Sequence, residues 1–170
     1  MAIKLFSRAG HLLKHAGRLL ARTTAPLSLW PAVALVLQAD DFRIEYSLNP
    51  DTGTSDFLRY DVSAAVAYGG FYYRAGRIGA YYRIGIPAGI SGVSMQGHKG
   101  PDGGGYSVYI NNTQVLSFPG VDMYADPPVL AEYFPGRPLN RFDVVPGDVV
   151  TVEFTGPNQA VFCNQITLHP

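Results

Sequence analysis

The chain has 170 residues, 47% of them apolar and only 15% charged, with 19 Gly and 13 Pro. That is enough for one domain with a real core plus an appended arm, and the apolar share excludes disorder as the reason for so much glycine and proline. A single cysteine, Cys163, excludes a disulfide framework within the chain and any zinc site of several thiolates, and the four histidines (His11, His15, His98, His169) show no metal-ligand spacing within the globular part.

A net charge of zero conceals a split. Residues 1–38 carry five bases and no acid, whereas residues 39–170 carry eight bases and all 13 acids, so a +5 segment precedes a −5 body. Such an asymmetry steers an arm toward neighbouring copies or an anionic surface. Arg8-Ala-Gly-His-Leu-Leu-Lys14 is followed by His15-Ala-Gly-Arg-Leu-Leu-Ala21, a seven-residue repeat. As a helix it aligns Phe6, Leu13 and Leu20, widened by Leu12 and Leu19, against a polar stripe that includes Arg8 and Arg18. Gly10 and Gly17 each cost about 1 kcal/mol in a helix, so this arm needs a partner surface to persist. The apolar, Pro31-interrupted stretch from Leu27 to Ala39 is short for a membrane span. It reads as part of a retained arm, as the apolar core of an export signal ending at Leu37-Gln38-Ala39, or as a membrane-surface segment. The expected division is an arm over 1–39 and a body over 40–170.

The body reads as all-β. Alternation of apolar and polar residues predicts strands at Phe42–Leu48, Leu58–Ala67, Phe71–Arg74, Arg77–Ile86, Gly92–Gln96, Tyr106–Ile110, Thr113–Phe118, Val129–Phe134, Arg141–Val145, Val149–Phe154 and Ala160–Leu168. Along Arg77–Ile86 the pattern puts Ile78, Ala80, Tyr82, Ile84 and Ile86 on one face. Asn111-Asn112 suits a two-residue hairpin turn with both residues at positive φ. Short strands at this density point to an antiparallel β-sandwich or barrel, and no helix-length periodic segment interrupts them.

Asp51-Thr-Gly-Thr-Ser55 resembles the signature of the aspartic proteases, which place a second such aspartate opposite the first. This chain has one copy, preceded by Asn49-Pro50, and the same residues make a polar turn. Gly70-Phe-Tyr-Tyr-Arg-Ala-Gly76 recurs as Gly79-Ala-Tyr-Tyr-Arg-Ile-Gly85. This places Tyr72, Tyr73, Arg74, Tyr81, Tyr82 and Arg83 on one expected hairpin, as an interaction surface for protein or sugar or as cross-strand packing. Nucleic acid is disfavoured by the acidic body. Gly97–Gly105, with five glycines, lacks the phosphate-loop pattern and reads as a flexible surface loop, with His98 and Asp102 in reach of each other. Asn111-Asn112-Thr113 matches a glycosylation sequon, and Cys163 reads as a small buried residue.

The run from Gly103 to Asn112, together with Pro146-Gly-Asp-Val-Val-Thr-Val-Glu-Phe154, resembles jelly-roll sandwiches found in carbohydrate-binding modules and in the decoration or fibre proteins of tailed bacteriophages. With the basic arm, the resemblance implies a non-enzymatic virion component of the decoration, cement or tail-fibre kind. Its arm would dock on other structural subunits in a homo-oligomer such as a trimer. The alternative is an exported, secreted or cell-surface carbohydrate-binding module whose arm is a signal or touches a membrane. No catalytic residue, metal or cofactor is expected on either reading.

Overall fold

The computed structural model describes residues 34–116, 123–132, 141–156 and 160–170, with Ala131 and Glu132 as backbone only. The expected arm helix, with Phe6, Arg8, Leu12, Leu13, Arg18, Leu19 and Leu20, lies outside these residues. What is described is all-β, with every strand pairing antiparallel. In chain order the strands are β1 (Leu35–Gln38), β2 (Glu45–Tyr46), β3 (Leu58–Asp61), β4 (Phe71–Ala75), β5 (Tyr81–Gly85), β6 (Gly92–Lys99), β7 (Tyr106–Ile110), β8 (Thr113–Leu116), β9 (Val129–Glu132), β10 (Phe142–Asp143), β11 (Val149–Phe154), β12 (Val161–Cys163) and β13 (Gln165–His169). One five-stranded sheet runs β1-β13-β6-β10, with β9 also paired to β6; a second runs β2-β5-β11-β7-β8; a three-stranded sheet runs β12-β4-β3.

Alternation explains why these segments pair as they do. In β11, Val150, Val152 and Phe154 are buried while Thr151 and Glu153 alternate with them; in β5, Tyr82 and Ile84 are buried. Leu37, Val93, Met95, Ile166 and Leu168 of the first sheet join them in one core. The two large sheets touch through Tyr82, whose hydroxyl donates to Met95 Sδ at 3.4 Å. Burying a side chain of this size contributes about 1.5–3 kcal/mol.

Local chemistry corrects several expected boundaries. Ile78 is 60% exposed rather than on the buried face, because Gly79 at φ +81° turns the chain before β5 begins. The strand expected over 58–67 stops at Asp61, and a 3₁₀ turn follows at Tyr68–Gly70. Asn164 pins that turn: its amide donates to the Tyr68 and Phe71 carbonyls at 2.9 and 2.6 Å and accepts from Tyr68 N–H at 3.0 Å. β1 falls within the segment expected to be arm, yet Leu37 is fully buried and pairs with Ile166 of β13. A signal ending at Ala39 would remove this strand from the sheet.

Two turns take the form their residues suggest. Asn111 and Asn112 adopt φ +50° and +66° between β7 and β8. Asp51–Ser55 is the turn of a small hairpin in which Leu48 bridges Ser55 and Gly53 N–H donates to the Asn49 carbonyl at 2.8 Å. The glycine-rich stretch does not form a flexible surface loop. Gly97–Lys99 belong to β6, and Gly103–Gly105 are buried. A Cβ on Gly103 would lie 1.8 Å from the Met123 carbonyl oxygen. Glycine stands there because the backbones nearly touch.

Candidate functional site

The outer face of the second sheet carries an open groove. Alternation in β5 sends Tyr81 and Arg83 away from the core while Tyr82 enters it, and the same rule turns the half-buried Thr151 and Glu153 outward on β11. Register then sets them side by side. Arg83 pairs with Thr151, which pairs with Tyr109 of β7, and Tyr81 pairs with Glu153. Together with Gly79 and Asn112 these residues line an open groove of about 410 Å³.

Its cations are already engaged. Arg83 donates from Nε and Nη2 to the two carboxylate oxygens of Glu45 at 2.9 and 2.7 Å, and its guanidinium lies 5.7 Å from the centre of the Tyr81 ring. Donating to the Glu45 carboxylate raises the Arg83 pKa further. Arg77, beside Gly79, holds Asp56 in the same two-pronged way, with Nε to Oδ1 at 2.8 Å. Asp56 also accepts from the Ser47 hydroxyl at 2.6 Å, and the Arg77 contact holds its carboxyl below the usual range. By contrast, no hydrogen bond or ion pair among the described residues occupies the Glu153 carboxylate or the Tyr81, Tyr109 and Thr151 hydroxyls. The groove thus offers two aromatic rings and a set of unspent acceptors and donors on rigid strands. A smaller hollow near Ile84, Ile86, Pro87 and Leu168 has only Arg43 as a charged side chain, and Asp41 accepts from that Arg43 at 2.7 Å.

The expected Tyr/Arg hairpin is divided between two sheets. β4 pairs with β3 and β12, whereas β5 pairs with β2 and β11. The Arg77–Asp56 pair and the Gly79 turn carry the chain from one sheet into the other. Tyr81 and Arg83 reach the groove; Tyr82 is buried in the core. Tyr72 stacks between Tyr60 and His98, Tyr73 stacks on Tyr46 at 5.3 Å, and Arg74 bridges to Asp102 at 3.1 Å. Asp102 is therefore committed to Arg74, and His98 instead donates from Nδ1 to the Val66 carbonyl at 3.2 Å. Cys163 is buried, and burial pushes its thiol up to about 12. The sequence reading missed Tyr109, Asn112, Thr151 and Glu153. Their outward positions follow from alternation, but nothing local says that β11 lies between β5 and β7.

Among the described residues no cluster of three or more His, Cys, Asp or Glu is placed to hold a metal ion, and no helix is long and apolar enough to cross a membrane.

No family model matches the chain and no curated protein matches it. Among solved structures it is similar to a GH87 alpha-1,3-glucanase catalytic domain in complex with tetrasaccharides, with 9% identity and a TM-score of 0.47 over 80% of this chain and 28% of that one. It is also similar to the catalytic unit of a thermostable GH87 alpha-1,3-glucanase from Streptomyces thermodiastaticus strain HF3-3, with 20% identity and a TM-score of 0.43 over 80% of this chain and 26% of that one. A third is the CsCBM6-3 structure from Clostridium stercorarium in complex with cellobiose, with 11% identity and a TM-score of 0.45 over 79% of this chain and 92% of that one. The chain thus spans just over a quarter of the glucanase chains. These findings overturn the expectation of a virion decoration, cement or fibre protein: the similar structures are glucanase domains and a cellobiose complex. The arm on which that expectation leaned lies outside the described residues.

Proposed function

We propose that the chain is an exported carbohydrate-binding module, a jelly-roll sandwich that holds a glycan along the outer face of its second sheet without cleaving it. One observation carries the reading: Tyr81 and Tyr109 flank the unpaired Glu153 and Thr151 in an open groove. Sugar rings present flat C–H faces that suit aromatic side chains, and vicinal hydroxyls that suit carboxylate, hydroxyl and amide partners. The two tyrosines stand two strands apart and one two-residue step offset, a diagonal of roughly 12 Å at standard strand geometry. That exceeds one sugar ring, so engaging both takes an oligosaccharide. Glycoside hydrolysis uses a pair of carboxyl groups about the scissile bond, whereas the groove lining holds Glu153 alone, Glu45 being tied to Arg83. A basic, apolar-rich segment over residues 1–31 suits export or membrane association that stops short of β1.

Isothermal titration against cellohexaose, xylohexaose and α-1,3-linked glucose oligomers tests the reading. At least one is expected to bind, and Tyr81→Ala and Tyr109→Ala are each expected to weaken it about five- to tenfold with unchanged thermal unfolding. Absence of binding to every oligomer in a wider neutral panel, or binding indifferent to both substitutions, would overturn it.

A further inference from the structure

Resting on that glycan-binding reading, we propose that the groove selects uncharged sugars and turns away glycans bearing carboxylate or sulfate groups. The charges on the face set this selectivity. Arg83 and Arg77 are its cations, and each is already matched by a two-pronged carboxylate, Glu45 and Asp56. Glu153 adds an unpaired carboxylate to the lining. Three carboxylates against two guanidiniums leave the face net negative.

Arg83 is the group an anionic sugar would recruit, since a guanidinium grips a carboxylate or sulfate with two parallel bonds. Turning it toward such a ligand leaves Glu45 unpaired on the same rim, so the charge of the face does not change and the exchange gains nothing. An uncharged sugar meets no such conflict: its vicinal hydroxyls donate to the two oxygens of Glu153, a geometry only a carboxylate-like acceptor supplies. The same Glu153 therefore both holds the neutral ligand and repels the charged one. Like charges facing each other across a contact are an efficient means of discrimination.

The experiment pairs each neutral glucose oligomer with its counterpart oxidised to the carboxylate at C6, and xylohexaose, which has no C6, with its glucuronosyl-substituted counterpart, so that backbone linkage and length are held fixed. On the full chain at low salt, the oxidised partner is expected to bind at least about tenfold more weakly than the neutral one. The gap should narrow as salt is raised, because exposed charges are screened. Glu153→Gln keeps one acceptor oxygen and removes the charge; it is expected to weaken the neutral oligomer and shrink the gap. Glu45→Gln frees Arg83 and is expected to raise binding of the oxidised oligomer. Circular dichroism and thermal unfolding confirm that both variants fold. Equal or tighter binding of an oxidised oligomer to the native chain, or a gap unmoved by both variants, overturns the selectivity while leaving glycan binding intact. Loss of binding to neutral and oxidised oligomers alike overturns both.

Discussion

His98 is held between aromatic rings, with Tyr72 stacked on it at 4.5 Å and 11° and the edge of Phe162 at 4.6 Å. Burial lowers its pKa below the usual histidine value, against weaker opposing effects from the Val66 hydrogen bond and Asp102. Because its Nδ1 faces a carbonyl oxygen, the neutral ring carries its proton there. His169 is lowered too, by burial and by Arg141. Both groups bind protons more readily in the unfolded chain, whose histidines titrate at about 6.5. The stability they contribute is therefore complete above that pH and is lost as pH falls below it toward their depressed folded values. Thermal unfolding measured from pH 7 to pH 5 is expected to show a falling midpoint. His98→Gln should flatten the slope in part and His98→Gln with His169→Gln more fully; a slope unchanged in the double variant would refute the assignment.

At the scale of elements, the passage from β6 to β7 is where close backbone approach replaces side-chain packing. Gly100 bridges Tyr124 and Gly103 bridges Ala160, both in parallel, and a Cβ on Gly156 would lie 2.4 Å from Gly105 N. Gly103→Ala is expected to cost about 3 kcal/mol, since the obstacle is backbone that cannot rotate away. Gly76→Ala, where no atom lies within 4 Å of the added carbon, should stay within about 0.5 kcal/mol. Chemical denaturation of the two variants decides it. This passage also marks the limit of what the amino-acid order reveals. Strands with strict alternation, such as β5 and β11, were legible, as was the two-asparagine turn. Five glycines in nine residues look the same whether they loosen a loop or admit a neighbouring backbone, and only the neighbour, here Met123, distinguishes the two.

For the molecule as a whole, the first and last described strands are adjacent: β1 pairs with β13 from Leu35↔Leu168 to Gln38↔Gln165. The body therefore starts before residue 40, where composition and charge placed its edge. Charge was misleading there because β1 contains no charged residue to assign it to either side. A chain begun at Asp40 loses the buried Leu37 and bares the edge of β13. It is expected to be at least about 2 kcal/mol less stable than one begun at residue 34, a difference urea unfolding measures directly. The groove was half legible for the same reason that β1 was missed: Tyr81 and Arg83 stand out in a repeated motif, whereas Tyr109, Thr151 and Glu153 matter only through which strands lie side by side. That arrangement has an evolutionary consequence. Each groove residue on β11 is flanked in sequence by core residues, Val150, Val152 and Phe154. Outward and inward positions can therefore mutate independently, and descendants of this chain can acquire new sugar preferences one outward position at a time while the buried positions between them stay fixed.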